Sequence, residues 1–300
     1  MTVSFPSGGI LAALWTPLDA RGKLLKSALT SHLTFLRERG VSGALALGST
    51  GEFPRFPLKQ RQELLAVVAE SAGSLPIVAN ISSIRLDDAI ALGKTARRLG
   101  MKGVSVMPPS FFPMSQPDIL EFFLRTAEGV ALPVGLYNFP ELTGNRISLE
   151  VISAFAERAS MAAIKQSGGE FAYHKPLIRL GREKGFAVFS GADTRLTEVF
   201  GLGAAGCIGG LVNIVPELMV NIYNCCQAGA PKAAAVDAAR MKEVGQIIDQ
   251  LTFPLNVAAG MEARGLEPGA PKTVVSAGSA KLYKMVAKEL KRKFREWKLV

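Results

Sequence analysis

Met161-Ala-Ala-Ile-Lys-Gln-Ser-Gly-Gly169 joins a short apolar run ending in lysine to a glycine turn. Apolar runs of this length read as buried strands. A lysine near the end of one is unusual, because a buried ammonium is costly to desolvate. The cost falls when the amine is neutral, and a neutral amine is a nucleophile toward ketones. Helical spacing follows over residues 171–184, and another apolar run starts at Ala187. The segment therefore reads as one strand–turn–helix–strand unit.

The same unit recurs along the chain. Apolar, β-branched or small-residue runs begin near Gly9, Gly43, Leu75, Gly103, Leu132, Met161, Ala187 and Ala205. Between them, residues 25–39, 57–73, 85–99, 116–130, 148–158, 171–184 and 193–202 have helical character. Pro57 sits near a helix start, Gly40, Gly73 and Gly100 follow helix ends, and Ser115 and Ser148 open N-cap sequences. Eight such units predict an α/β fold, a closed (β/α)8 TIM barrel over residues 1–225. A doubly wound open sheet is the alternative, and the even repeat disfavours it. Apolar spacing in 231–264 and 279–297 predicts a C-terminal helical extension, residues 226–300, packed on the barrel.

Three hundred residues with 48% hydrophobic content can bury a large core. No apolar stretch is long and charge-free enough to span a bilayer, and the amino-terminal segment lacks the basic start of a secretory signal. Both point to a cytoplasmic protein without a membrane partner. Cys207, Cys225 and Cys226 are too few and too badly spaced for a disulfide framework or a zinc site. Of the formal charge of +10, residues 281–300 carry eight Lys/Arg against two Glu, a net +6. A nucleic-acid or membrane-binding helix is one reading of that tail. A solvated terminal helix with Leu282, Met285, Leu290 and Phe294 turned inward is the preferred one, so no nucleic-acid partner is expected.

In a parallel barrel, reacting groups gather at the C-terminal strand ends. Lys165 is the only lysine and Tyr137 the only tyrosine at such a place. Lysine, tyrosine and the hydroxyl-rich turn Gly48-Ser49-Thr50-Gly51-Glu52 together suggest Schiff-base chemistry on a 2-oxo acid. Tyr137 suits a proton shuttle. Ser49, Thr50 and the turn's N–H groups suit a carboxylate. The competing readings are a lysine paired with Glu52 or reaching solvent, a rim tyrosine, and an ordinary turn. The turn lacks the lysine of a phosphate-binding loop, and Glu52 reads as its structural anchor. His32 and His174 fall within predicted helices. No His, Cys or carboxylate cluster has metal-ligand spacing, so neither a metal nor another cofactor is expected.

These residues match a known pattern. The chain resembles the dihydrodipicolinate synthase / N-acetylneuraminate lyase superfamily of pyruvate-dependent class I aldolases over residues 9–266. The markers are Leu14-Trp-Thr-Pro17, Gly48-Ser-Thr-Gly-Glu52, Tyr137-Asn-Phe-Pro140, Ile164-Lys-Gln166, Gly191 and Gly206-Cys-Ile-Gly209 with Asn213 and Pro216. The resemblance implies a Schiff base on Lys165, a proton relay through Tyr137 hydrogen-bonded to Ser49, and carboxylate binding by Ser49 and Thr50. It also implies the carbonyl of Ile208 near the lysine, and a homotetramer built as a dimer of dimers.

Substrate choice is more open. Leu142 fills the place where the synthases carry an arginine for the second substrate's carboxylate. Asp193-Thr194 stands for the Asp-Glu pair of the sialic acid lyases, and Gly210 for their following serine. Where a neighbouring subunit supplies a relay tyrosine, this chain offers only Phe111 and Phe112. Leu142, Phe111, Phe112, Asp193 and Gly210 are expected to shape the acceptor pocket, and the first three predict an acceptor less polar than aspartate semialdehyde or a sialic acid. The reading is a Schiff-base lyase joining pyruvate to an aldehyde, or cleaving the adduct. The alternatives are dihydrodipicolinate synthase proper, a dehydratase or aldolase of 2-keto-3-deoxy sugar acids, and a non-catalytic 2-oxo-acid binding protein.

Overall fold

A computed structural model describes residues 4–300. Eight parallel strands close into a barrel in chain order: β1 (Gly9–Ala13), β2 (Gly43–Ala46), β3 (Ile77–Asn80), β4 (Gly103–Val106), β5 (Val134–Asn138), β6 (Met161–Gln166), β7 (Ala187–Ser190) and β8 (Gly206–Gly209). The seam is sealed by β1 on β8, with Gly9 opposite Gly206 and Leu11 opposite Ile208. The expected TIM barrel is therefore the fold.

The helices are α1 (Lys26–Glu38), α2 (Leu58–Ser71), α3 (Leu86–Arg98), α4 (Gln116–Val130), the short α5 (Pro140–Thr143), α6 (Leu149–Arg158), α7 (His174–Lys184), α8 (Leu196–Leu202) and α9 (Pro216–Gln227). Three more follow, α10 (Ala235–Ile248), α11 (Leu255–Ala263) and α12 (Ala277–Glu296). Among the described residues no helix is long and apolar enough to cross a membrane. Ser115 and Ser148 cap α4 and α6 by accepting from the N–H groups of Asp118 and Val151.

The strand sequences read as unbroken apolar runs because both faces are buried. Alternation nevertheless divides them. Leu11, Ala13, Leu45, Val78, Ala163, Phe189 and Ile208 fill the barrel interior, with Phe5 packed against them. Ile10, Ala12 and Leu14 face the surrounding helices. That outer core continues without a break into Val257, Met261, Leu290 and Phe294 of α11 and α12. One expectation fails on α12: Met285 is 56% exposed, while Val286, Ala287, Leu290 and Phe294 are buried. The buried four share a stripe at three- and four-residue spacing, and Met285 lies beside it.

Asn213 ties the seam together. Its Oδ1 accepts from Trp15 N at 3.1 Å and from His32 Nε2 at 2.9 Å. Its Nδ2 donates to the carbonyls of Ala13 and Gly210, each at 2.8 Å. Burial pushes the His32 imidazole down from 6.5 to about 4, with the Asn213 hydrogen bond opposing. His174 is also lowered, chiefly by burial. Between those two pH values the unfolded chain binds more protons at His32 than the folded one. Stability is thus fully present above pH 6.5 and lost as pH falls toward 4, by about 3 kcal/mol for His32 alone. Urea titrations from pH 7 to 4 will show that loss, and His32→Gln will flatten it. An unchanged slope in the variant would count against the assignment.

Candidate active site

Lys165 lies on the same face of β6 as the interior Ala163, two residues further along, so its side chain emerges at the barrel mouth. Tyr137 stands directly opposite it in the β5–β6 register. The amide of Asn138 donates to Gln166 Oε1 at 2.7 Å and locks the two strand ends together. Lys165 Nζ donates to Tyr137 Oη at 3.0 Å, and Tyr137 Oη lies 3.0 Å from Ser49 Oγ. Lysine and tyrosine are 6% and 1% exposed. Gly191 lets the chain pass close by: a Cβ there would sit 2.1 Å from Ser167 Oγ and 3.1 Å from Lys165 Cε.

Ser49 and Thr50 are presented by a turn whose flanks, Leu47 and Glu52, take left-handed backbone angles (φ 55° and 60°). Such angles persist where the surroundings impose them. Asn80 Nδ2 donates to Leu47 O at 2.7 Å on one side. On the other, the Glu52 carboxylate accepts from Arg55 Nε at 2.6 Å and from Lys272 Nζ at 3.1 Å. Lys272 lies 3.7 Å over the Trp15 ring, and Trp15 Nε1 donates to Pro268 O at 2.7 Å. Burial holds the Lys272 ammonium below the usual lysine range, Glu52 opposing. Glu52 is therefore the turn's anchor and is no partner for Lys165.

A cavity of about 310 Å³ opens above these groups. Lys165, Tyr137, Ser49, Thr50 and Ile208 form its inner end, and Asp193 and Gly210 belong to its wall. Asp193 Oδ2 accepts from Leu211 N at 2.8 Å, and Oδ1 from Cys207 Sγ at 3.4 Å. Burial raises the Asp193 carboxyl above the usual range, with the Leu211 N–H and then Lys165 opposing. Burial and Asp193 together push the Cys207 thiol up.

The remaining expected site residues lie elsewhere. Gly48 sits behind the turn, its carbonyl accepting from Phe53 N at 3.4 Å. Leu142, Phe111 and Phe112 do not line the cavity, and they are 48%, 81% and 65% exposed. The loop bearing the phenylalanines is strapped to the end of α5 and to Asn145 just beyond it. Phe111 N donates to Thr143 O at 3.3 Å, and Asn145 Nδ2 donates to Pro109 O and Phe112 O, each at 2.8 Å. The apolar acceptor pocket expected from these three side chains is thus absent from the chain's own cavity. The opposite wall comes from residues that strand-end reasoning missed: Ile248, Asp249, Phe253, Asn256 and Val257, on and between α10 and α11. Ser167, next to Gly191, also lines it.

The chain matches the model of the dihydrodipicolinate synthetase family over residues 6–293. A 4-hydroxy-tetrahydrodipicolinate synthase of Methanosphaerula palustris is 30% identical over 224 residues, 74% of this chain and 77% of that one. Among solved structures, YagE, an E. coli K12 prophage protein of the dihydrodipicolinic acid synthase family in complex with pyruvate, superposes with a TM-score of 0.88 at 25% identity, covering 98% and 99% of the two chains. CdNal of Clostridium difficile, in complex with mannosamine, has the same fold, with a TM-score of 0.89 at 20% identity over 97% and 100%. The matched residues take in the barrel and the helices appended to it, and the chain belongs to the dihydrodipicolinate synthetase family.

Proposed function

We propose that the protein is a Schiff-base lyase of the class I aldolase type, with pyruvate as the 2-oxo acid. The observation that carries this reading is the unbroken chain Lys165–Tyr137–Ser49, at 3.0 Å per step, on the floor of a cavity. The pyruvate complex of YagE supports the choice of oxo acid.

The free amine of Lys165 attacks the keto carbon, and the carbinolamine loses water to give an iminium. Ser49, Thr50 and their N–H groups hold the carboxylate. Tyr137, within reach of both nitrogen and hydroxyl, carries the proton that the departing water needs. Loss of a C3 proton turns the iminium into an enamine, whose C3 attacks the aldehyde carbon while a proton goes to the aldehyde oxygen. Water then releases the product and regenerates the amine. Cleavage runs the same steps backwards.

The name of the Methanosphaerula palustris relative favours a synthase reading. Leu142, standing where that reading calls for an arginine, does not support it. The exposed apolar side chains of Phe111, Phe112 and Leu142 support a further inference, that a neighbouring subunit covers them in a homotetramer. Borohydride reduction in the presence of pyruvate, followed by mass mapping, tests the Schiff-base reading. Reduced pyruvate on Lys165 is the expected result. A folded protein with no adduct on any lysine would sink it.

A further inference from the structure

Five asparagines are buried among the described residues, and four are fully engaged. Asn80 donates to Leu47 O and accepts from Ser82. Asn138 donates to Gln166 and accepts from Ile147 N. Asn145 and Asn213 likewise bond through both ends of their amides. Asn256 is the exception. It is 8% exposed, it lines the cavity, and its Oδ1 has no hydrogen-bond partner. Of the seven buried side-chain polar atoms without a partner among the described residues, this is the one that lines the cavity, where a ligand's donor can relieve the cost of leaving it unpaired. Its Oδ1 accepts from no N–H at the start of α11, so it caps nothing there.

The carboxylate and keto group of the oxo acid have their partners at the inner end, which leaves Asn256 to the acceptor. The neighbouring cavity wall limits what that acceptor carries. Asp193 and Asp249 contribute carboxylates, Phe253 and Val257 apolar surface, and Lys165 is the only cation in the lining. A Cβ added at Gly210 would lie 3.5 Å from Thr50 Oγ1, 3.7 Å from Val257 and 3.8 Å from Asp193 Oδ2, so the α11 wall stands close to the reacting end. An anionic acceptor would meet two acids and no cation apart from the Lys165 nitrogen, which is taken by the oxo acid. A hydroxyl can donate to Asn256 Oδ1 and accept from its amide nitrogen.

We infer that Asn256 is a specificity-determining residue that takes a hydroxyl of the acceptor, so that the second substrate is an uncharged hydroxyaldehyde. The inference deepens the Schiff-base reading and rests on it. The test uses the full-length protein, pyruvate, and aldehydes of two to six carbons in pairs, each hydroxyaldehyde with its deoxy counterpart, plus succinic semialdehyde as the anionic arm. Wild-type protein prefers the hydroxylated member of at least one pair in kcat/KM by about tenfold or more, and disfavours the anion. Asn256→Leu, similar in shape but without polar atoms, brings that ratio close to one. Asn256→Ala, which only removes atoms, carries the same reading if the leucine variant does not fold. Borohydride trapping of pyruvate on wild-type protein runs beside the panel and separates the two possible failures. Without an adduct the Schiff-base reading itself falls. With an adduct, the present inference alone is overturned by equal use of paired aldehydes, by preference for the anion, by no use of any hydroxyaldehyde, or by a preference that survives both substitutions.

Discussion

Lys165→Ala will lose the borohydride-trapped pyruvate adduct and at least about 10⁴-fold in kcat, while its far-UV circular dichroism and urea midpoint stay close to wild type. The size follows from the role: removing a covalent nucleophile removes the intermediate, and what survives is binding alone. The preserved fold follows from the surroundings. Lys165 makes no salt bridge among the described residues, and the buried Asp193 carboxylate, which it helps to hold, keeps its hydrogen bonds from Leu211 N and Cys207 Sγ. The atoms removed face a cavity rather than packed core. A variant that keeps turnover ends the Schiff-base reading. One that never turned over in wild-type form and still binds pyruvate belongs to a binding protein.

Tyr137→Phe comes second, at about 10² to 10⁴ in kcat with KM for pyruvate changed far less. Only one oxygen is lost, and it is the atom bonded to both Lys165 and Ser49. The proposed carboxylate site on Ser49 and Thr50 stays in place, so binding is expected to persist. Rapid-quench trapping will show the adduct forming slowly rather than failing to form. A variant within threefold of wild type in kcat would remove the relay from the mechanism.

Much of this was legible in the residues themselves. A lysine two positions beyond an interior alanine, opposite a tyrosine on the preceding strand, can be placed by strand parity alone, and β6 and β5 are built that way. The strands after Leu75 and Leu132 start two residues later than their apolar runs. Pro76 and Pro133 have no N–H to give to a ladder, and serve through their carbonyls to Ala44 N and Val104 N. Other parts could not be read. Leu142, Phe111 and Phe112 are near the mouth in sequence, yet Leu142 is exposed on α5 and the phenylalanine loop is tied by Asn145 to the carbonyls of Pro109 and Phe112, contacts that leave no pattern in the chain. Asn256 and Phe253 follow the last strand by more than a helix. A rule that searches strand ends never reaches them, and only the docking of α10 and α11 makes them part of the cavity.

The pairing of Lys272 with Glu52 has a consequence for how the protein is made. Translation delivers the Ser49–Thr50 turn early and its anchoring lysine 220 residues after Glu52, beyond the segment that forms the far wall. A nascent chain that has passed β6 already contains Lys165, but the cation that steadies Glu52 is missing. The proposed nucleophile is therefore made well before the residues that enclose it, and a message cut short after the eighth strand would lack both Lys272 and the α10–α11 wall.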